Sequence, residues 1–310
     1  DLHLKGLTKI GATIELVHGA VHAHTKGLSG GRIYLDFPSV GATENLMMAA
    51  VFAKGETVLE NTAREPEILN LVEALRSMGA IIEADGTGVI RIQGVDSLHS
   101  AESRIIPDRI EACTYILAGA ATNGEVTVTD VIPNHIDSLL AKLEEAGAQM
   151  TVTDDAVTIH PSGRLKGVSL KTLPYPGFPT DLQPQIMASL CIAQGTSVIQ
   201  ESVFQSRFLH VSELNKMGAK IEIQGNTAIV SGVDRLTGAD VVATDLRAGA
   251  ALVISGLAAG DSTCVYHLGH IRRGYENMEE KLKSLGADVE ILPTEIDGTR
   301  ESLSSACRDS

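Results

Sequence analysis

Several acidic and basic side chains stand where the sequence predicts that a helix begins. Asp181 follows the stiff loop Pro174–Pro179, and Asp245 and Arg247 precede a second apolar stretch. A helix N-terminus presents unpaired backbone N–H groups and a partial positive charge, so it favours anions. Arginine can capture a carboxylate or phosphate through two hydrogen bonds, and a proline-rich loop can aim one carboxylate. The pattern therefore indicates an anion-binding pocket beside an aimed carboxylate.

Each of these side chains also has a plain structural interpretation. Asp181 and Asp245 can serve as helix N-caps. Arg247 fits that interpretation less well, because a cation in the first helical turn opposes the helix dipole, so we expect Asp245 or a ligand to offset its charge. Arg207 and Arg273 can be solvated charges or members of structural ion pairs. Their occurrence at comparable ends of successive repeats favours a site.

Other chemistries find little support in the sequence. His18, His22 and His24 cluster, but no suitably spaced carboxylate or cysteine accompanies them, so a metal site is not predicted. His135 and His210 are interpreted as structural or supporting groups. The P-loop and nucleophile-elbow motifs are absent. The cysteines are far apart and are expected to be thiols in a reducing cytoplasm: Cys113, Cys191, Cys264 and Cys307.

Composition narrows the function classes further. A net charge of −14 argues against a general nucleic-acid or anionic-membrane binder, and 3% aromatic residues with no Trp argue against base stacking. No apolar run reaches the roughly 18 residues that would span a bilayer, and no signal peptide opens the sequence. We expect a cytoplasmic protein, monomeric, that acts on small molecules.

The elements that must position the polar residues recur with a fixed period. A Gly-Ala pair follows an amphipathic, helix-like stretch and precedes an alternating, strand-like stretch, and the intervals between pairs are 68, 68, 71 and 68 residues. Glycine suits the left-handed position that ends a helix. The five pairs begin at Gly11, Gly79, Gly147, Gly218 and Gly286.

A second landmark keeps almost the same period. Another helical pattern ends at a glycine and leads into a β-branched strand, at Gly55, Gly124, Gly195 and Gly260. One repeat is therefore predicted as helix, strand, helix and strand pair. Because the first Gly-Ala pair lies at position 11, residues 1–40 are expected to be the second half of a repeat. The chain is expected to begin mid-repeat, with one and a half repeats missing.

The sequence also predicts a division of the chain. Pro107 disfavours helix at the preceding residue, and Asp108 can cap the next helix. We expect a first domain over residues 1–106, with a half repeat and one full repeat. A second domain with three repeats is expected over residues 107–310, and its serine-rich end from Asp297 to Ser310 is predicted to be loose.

Six segments in this order resemble the UDP-N-acetylglucosamine enolpyruvyl transferases, and the similarity excludes only about the last dozen residues. The segments are Leu35–Asn45, Ala63–Ile68, Pro107–Ala112, Pro176–Gln183, Thr244–Gly249 and Arg273–Glu276. The resemblance implies an inside-out α/β barrel of βαβαββ repeats in two domains, with helices inside, sheets outside and substrates in the cleft. The first domain would be the nucleotide-sugar side and the second the catalytic side.

The resemblance also implies a reaction. The sugar 3′-hydroxyl of UDP-N-acetylglucosamine adds to phosphoenolpyruvate, and phosphate leaves, without a metal or organic cofactor. This transfer is the first committed step of peptidoglycan synthesis and so serves cell-wall biogenesis, cell shape and division. Asp181 resembles the carboxylate that contacts the 3′-hydroxyl and acts as its base. Arg247 and Arg273 resemble the arginines that hold phosphoenolpyruvate, with Asp245 orienting them and Arg207 nearby.

The resemblance assigns the nucleotide to other residues. Asp1 and Leu2 resemble the end of a uridine-binding stretch. Ser39, Val40 and Gly41 resemble diphosphate and uridine contacts at a helix N-terminus, and Val203 resembles a further nucleotide contact.

The sequence departs from the family in ways that affect its expected activity. The Lys-Asn pair of the family's first repeat and the mobile loop whose cysteine donates a proton are not in this sequence, and Arg272 replaces a common acidic residue. The chain as given is therefore expected to turn over slowly or not at all. Two alternatives stay open: a shikimate-pathway enolpyruvyl transferase, which the Pro-Gly-Phe-Pro-Thr-Asp segment disfavours, and a non-catalytic nucleotide-sugar binder.

Overall fold

The computed structural model describes residues 1–293 and 301–305. The chain divides into two compact units, Asp1–Ile106 and Pro107–Ser310, called unit 1 and unit 2 below. Both units combine helices with mainly antiparallel sheets.

Unit 1 contains three helices, a two-stranded hairpin and a four-stranded sheet. The elements are α1 Leu2–Lys9, β1 Thr13–Val17, β2 Ala20–His24, β3 Arg32–Tyr34, α2 Val40–Ala50, β4 Glu56–Glu60, α3 Pro66–Ser77, β5 Ile81–Ala84 and β6 Val89–Gln93. Strands β1 and β2 pair with each other. The larger sheet has the order β3-β4-β6-β5, in which only the β3–β4 pair is parallel.

Unit 2 repeats the same pattern three times. Its first elements are α4 Arg109–Thr122, β7 Val126–Thr129, α5 Asp137–Glu145, β8 Gln149–Val152, β9 Ala156–His160, β10 Ser169–Lys171, α6 Gln183–Leu190 and β11 Thr196–Gln200. They are followed by α7 Val211–Lys216, β12 Lys220–Gln224, β13 Thr227–Ser231, β14 Asp240–Val242, α8 Leu246–Leu257, β15 Thr263–Tyr266, α9 Leu268–Ile271, α10 Met278–Ser284, β16 Val289–Pro293 and β17 Glu301–Ser305. Short 3-10 helices lie at Pro133–His135 and Thr180–Leu182.

The predicted repeat of helix, strand, helix and strand pair is present four times. It runs α2-β4-α3-β5-β6 in unit 1, and three further copies start at α4, α6 and α8 in unit 2. The glycine of each Gly-Ala pair has a positive φ, from 85° at Gly218 to 102° at Gly11. A Cβ disfavours this backbone conformation, which explains why glycine recurs at the end of each helix.

The sheets of unit 2 lie outside its buried helices. Their strand orders are β7-β9-β8, β10-β11-β13-β12 and β14-β15-β17-β16, and the pairs β10–β11 and β14–β15 are parallel. Helices α4, α6 and α8 pack against one another and are apolar around most of their circumference. At Gly249 a Cβ would lie 2.5 Å from the Ile271 side chain, so only glycine allows α8 to approach α9 this closely.

The short strands β3, β10 and β14, each of three residues, precede the first helix of a repeat. Periodicity alone did not predict them, because three residues cannot display an alternating pattern, but the βαβαββ repeat that the resemblance implies includes this strand. The predicted loose end is wrong over residues 301–305, which form β17 between β15 and β16. The rest of the predicted loose tail, residues 297–300 and 306–310, lies outside the described residues.

Candidate active site

Asp181 lies at the junction between the proline-rich loop and α6. It is the middle residue of the 3-10 helix Thr180–Leu182, and its carboxylate makes no capping bond to the helix that follows. Instead, Oδ1 accepts a hydrogen bond from Nη2 of Arg207 at 2.8 Å, and Oδ2 accepts one from Nη2 of Arg247 at 2.8 Å. The side chain of Asp181 remains 39% exposed, so a ligand can reach the carboxylate.

Asp245 plays a different role from Asp181 at the start of its helix. Its Oδ1 accepts hydrogen bonds from the backbone N–H groups of Arg247 at 2.9 Å and Ala248 at 3.0 Å, so Asp245 is the N-cap of α8. These hydrogen bonds hold the start of α8, and that Asp245 orients the arginine side chains stays a prediction. The charge of Arg247 is offset by Asp181, which neither proposed alternative anticipated.

Arg207 reaches Asp181 from the segment between β11 and α7. Its guanidinium carbon lies 4.9 Å from the centre of the Phe204 ring, a cation–π contact, and its side chain is only 16% exposed. The Arg247 side chain is similarly enclosed, at 15% exposure. Both arginines are therefore held on the two sides of one carboxylate.

Tyr275 extends this network into the core of unit 2. The side chain is 1% exposed, and its hydroxyl contacts the Arg247 guanidinium, Nε2 of Gln185 at 3.3 Å and Oγ1 of Thr114 at 2.9 Å. Thr114 donates its own proton to the carbonyl of Ile110 at 2.8 Å. Tyr275 therefore donates to Thr114 and accepts from Gln185, and its hydroxyl lies beside the Arg247 guanidinium.

The charges of the cluster set its protonation state. Burial by itself raises the pKa of Asp181, but Arg247 and Arg207 oppose it and hold the pKa below its ordinary value. Burial lowers the pKa of Arg247, but Asp181 and Tyr275 raise it by more, so the pKa lies above its ordinary value. One carboxylate between two guanidinium groups leaves a net positive charge. The cluster is thus an ionised carboxylate in a field that attracts anions.

His210 lies beneath the cluster and is 2% exposed. Its Nε2 lies 3.3 Å from Sδ of Met187. Burial, which outweighs the influence of Asp245, lowers the pKa of His210 to about 4, and Arg207 adds to this lowering. The imidazole is therefore neutral at pH 7 in the folded chain.

We expect His210 to make the protein less stable in mild acid. Between the ordinary histidine pKa of about 6.5 and the folded value of about 4, the unfolded chain binds a proton that the folded chain refuses. The free energy of unfolding should therefore fall by about 2 kcal/mol from His210 between pH 7 and pH 5. Urea unfolding at both pH values should show this loss in the native sequence and not in His210→Met. The exposed His22→Gln should keep the native pH dependence, and an equal dependence in His210→Met would contradict the assignment.

Arg273 is placed beside the start of α8. A Cβ on the adjacent Gly274 would lie 2.7 Å from the Leu246 side chain, so this segment packs closely against the residue that precedes Arg247. Arg273 itself is exposed, and it has no hydrogen-bond or ion-pair partner within residues 1–293 and 301–305. Its guanidinium is available to an anionic ligand.

The remaining predicted nucleotide contacts fall mostly in unit 1. Asp1 occupies the N-cap position of α1 without a side-chain capping bond, and the half-buried Leu2 follows it. The ring of His3 lies against Gly41, and its Nδ1 is 2.8 Å from Nδ2 of Asn45. Ser39 is the N-cap of α2 and accepts a hydrogen bond from the N–H of Ala42 at 3.3 Å. The beginnings of α1 and α2 are thus adjacent in unit 1, where Val40 is half-buried.

Val203 belongs to unit 2, where it lies four residues before Arg207. Its backbone N–H donates to Oε1 of Glu201 at 2.9 Å. Glu201, Thr180 and Tyr275 all support the cluster and were not singled out from the sequence. Tyr275 could have been found from its place beside Arg273 in a recognised segment, but no spacing indicates that Glu201 is buried.

Over residues 1–293 and 301–305, no helix is both long and apolar enough to cross a membrane. In the same part of the chain, no group of three or more His, Cys, Asp or Glu side chains is arranged to hold a metal ion.

The chain is similar to known proteins over most of its length. Residues 1–282 match the family model described as EPSP synthase (3-phosphoshikimate 1-carboxyvinyltransferase). The chain is 56% identical to UDP-N-acetylglucosamine 1-carboxyvinyltransferase 2 of Carboxydothermus hydrogenoformans, over 94% of this chain and 70% of that protein. It is 55% identical to UDP-N-acetylglucosamine 1-carboxyvinyltransferase 1 of Caldanaerobacter subterraneus subsp. tengcongensis, over 93% of this chain and 70% of that protein.

Solved structures show the same fold. The enolpyruvyl transferase NikO from Streptomyces tendae superposes with a TM-score of 0.84 at 28% identity, over 93% of this chain and 71% of that one. EPSP synthase from Acinetobacter baumannii superposes with a TM-score of 0.62 at 18% identity, over 84% of this chain and 64% of that one, which concerns the fold alone. The chain therefore belongs to the EPSP synthase family and, within it, to the UDP-N-acetylglucosamine 1-carboxyvinyltransferases, a family of enolpyruvyl transferases.

Proposed function

We propose that this chain carries the pocket that transfers the enolpyruvyl group of phosphoenolpyruvate to the 3′-hydroxyl of UDP-N-acetylglucosamine. The observation that carries the proposal is the carboxylate of Asp181, partly exposed and held between the guanidinium groups of Arg207 and Arg247. This arrangement joins a proton acceptor to an anion site, and the reaction needs both. The relatives' names supply the substrate class.

The proposed chemistry begins with proton transfer to Asp181. The carboxylate takes the proton of the 3′-hydroxyl as the sugar oxygen bonds to C2 of phosphoenolpyruvate, and a proton from an acid adds to C3. The resulting tetrahedral adduct then loses a proton from C3 and expels phosphate, which restores the double bond. The product is the enolpyruvyl ether, and no metal or organic cofactor enters the atom balance.

The arginines are proposed to hold the anionic groups of phosphoenolpyruvate and of the adduct. Arg247 is held by its hydrogen bond to Asp181, whereas Arg273 is exposed and can move onto a ligand. Arg207 and the α8 start that Asp245 caps complete the site. Fixed cations beside a developing negative charge stabilise the transition state, because they need little reorganisation during the reaction.

Nucleotide binding is proposed for residues of both units. In unit 1, the start of α2 offers the backbone N–H groups of Val40 and Gly41 and the hydroxyl of Ser39 for the diphosphate, whereas the Ser39 N–H donates to the carbonyl of Phe37 at 2.8 Å. Asp1 and Leu2, at the adjacent start of α1, are proposed to contact the uridine. Val203 of unit 2 is proposed as a further nucleotide contact. Unit 1 is thus the nucleotide-sugar side and unit 2 the catalytic side.

We expect Ser39→Ala to weaken both the α2 start and nucleotide binding. Ser39 accepts the N–H of Ala42, which leaves its hydroxyl proton free to donate to a ligand oxygen. Loss of the cap should lower the free energy of unfolding by about 1 kcal/mol. Loss of the donor to a charged diphosphate should raise the Kd for UDP-N-acetylglucosamine about tenfold, as measured by calorimetry. Ser39→Thr keeps the hydroxyl and serves as the control. An unchanged Kd in Ser39→Ala would exclude the diphosphate contact.

The function itself is tested by product formation in the whole gene product that carries this chain. Phosphate release from phosphoenolpyruvate should require UDP-N-acetylglucosamine, and mass spectrometry should detect the enolpyruvyl ether. Shikimate 3-phosphate should not replace the nucleotide sugar. Calorimetry that shows binding of the nucleotide sugar without product would instead support a non-catalytic binder. The proposed reaction places the protein in the cytoplasm, at the first committed step of peptidoglycan synthesis.

A further inference from the structure

Glu201 departs from the repeat at the strand end nearest to Asp181. In the other three repeats, the residue that follows the equivalent strand has a left-handed backbone: Asn61 at φ 54°, Asp130 at φ 53° and His267 at φ 64°. Glu201 follows β11 without a positive φ, and its side chain is buried at 3% exposure. A buried carboxylate is costly unless hydrogen bonds satisfy it.

Four neutral donors satisfy the Glu201 carboxylate. Oε1 accepts from Oγ1 of Thr172 at 2.6 Å and from the backbone N–H groups of Val203 and Phe204, both at 2.9 Å. Oε2 accepts from Oγ1 of Thr180 at 2.9 Å. Both carboxylate oxygens are therefore used. A glutamine would offer one accepting oxygen and would turn an NH₂ group toward donors.

Three of these donors, Thr180, Val203 and Phe204, belong to the two segments that supply the Asp181–Arg207 ion pair. Thr180 precedes Asp181 in the same single-turn 3-10 helix. The backbone N–H groups of Val203 and Phe204 both donate to Glu201, and the Phe204 ring stacks on Arg207. One carboxylate thus joins the segment of the proposed base to the segment of its arginine partner.

We propose that Glu201 is a positioning residue, which sets the location of Asp181 through Thr180 and that of Arg207 through the Val203–Phe204 backbone. The proposal rests on the proposed function, because it assigns Glu201 a role in aligning the proposed base. A small displacement of a reacting group can cost much of the rate, so the effect of Glu201 should appear mainly in kcat.

Thr180→Val provides the cleanest test, because it removes one hydroxyl and preserves the side-chain shape. We expect kcat to fall about tenfold, with KM for both substrates changed by less than about twofold. Thr180→Ser restores the donor and should restore kcat. Thr263→Val is the matched control: Thr263 is buried at 1% exposure in the same unit, and its hydroxyl has no partner in the structure. This control should leave kcat unchanged.

A double variant distinguishes alignment of Asp181 from a general structural effect. If Thr180 acts through Asp181, then Thr180→Val should cost nothing further in an Asp181→Asn background. Glu201→Gln should lower kcat at least as much as Thr180→Val, and Thr180→Val keeps the test valid if Glu201→Gln fails to fold. Native kcat in Thr180→Val, or an equal loss in the Asp181→Asn background, would overturn the positioning role. Native activity in Asp181→Asn would instead overturn the proposed function.

Discussion

Asp181→Asn should lower kcat about 10³-fold, which corresponds to about 4 kcal/mol of transition-state stabilisation. The amide keeps the size of the side chain but cannot take the 3′-hydroxyl proton. Arg207 and Arg247 would lose their anionic partner, so the affinity for phosphoenolpyruvate should hold or increase. Steady-state phosphate release gives kcat, and calorimetry gives the affinity for each substrate.

The control for this change is the same substitution at an exposed aspartate of unit 2. Asp234 pairs with Arg164, and its side chain is 97% exposed, so Asp234→Asn should leave kcat near the native value. Asp181→Glu keeps the charge but displaces the carboxylate and should also be slow. Turnover in Asp181→Asn within about tenfold of native would show that Asp181 is not the base.

The periodic part of the fold could be predicted because each repeat carries its own local signals. Apolar spacing marked helices such as α3 and α5, and the glycines at 79 and 147 marked their ends. These signals depend on neighbours in sequence, so one chain displays them. The three-residue strands β3, β10 and β14 depend on pairing with a distant strand, and no local pattern reveals them.

The site could be predicted in its residues but not in its pairings. Asp181 and Asp245 look alike in sequence, since both precede a helix, yet one pairs with two arginines and the other caps α8. The difference arises because the single-turn 3-10 helix at Thr180–Leu182 turns Asp181 away from the N–H groups of α6. Glu201 was missed because two of its four donors, Thr172 and Thr180, are 29 and 21 residues away in sequence, and no local pattern reveals them.

Arg247→Met should lower kcat/KM for phosphoenolpyruvate about 10³-fold, and Arg247→Lys about 10²-fold. Lysine restores a charge but not the planar guanidinium fork from which Arg247 donates to Asp181. Arg32→Lys is the matched control in unit 1, since Arg32 makes a two-bond pair with Glu60 at 2.7 and 2.9 Å and is 76% exposed. Initial rates over a range of phosphoenolpyruvate concentrations should show the loss in the Arg247 variants alone.

The Arg247 variants should also change the pH dependence of the reaction. Arg247 is the largest favourable influence that holds the pKa of Asp181 below its ordinary value against the effect of burial. Without it the pKa rises, so a larger fraction of the carboxylate is protonated in mild acid. The acid limb of the kcat/KM profile should therefore move to higher pH in Arg247→Met. An acid limb that stays at the same pH would show that Arg247 does not affect the pKa of the base.

The same pairing implies that an anionic substrate can strengthen its own base. Arg247 donates a hydrogen bond from Nη2 to Asp181, and a phosphate or carboxylate of phosphoenolpyruvate would compete for this donor. When the substrate draws Arg247 or Arg207 away, the carboxylate loses stabilisation and its pKa rises toward that of a better proton acceptor. Asp181 would then be a weak base in the empty pocket and a stronger one beside bound phosphoenolpyruvate. In Arg247→Met this coupling should shrink, so the kcat and kcat/KM profiles should have acid limbs closer together than in the native protein.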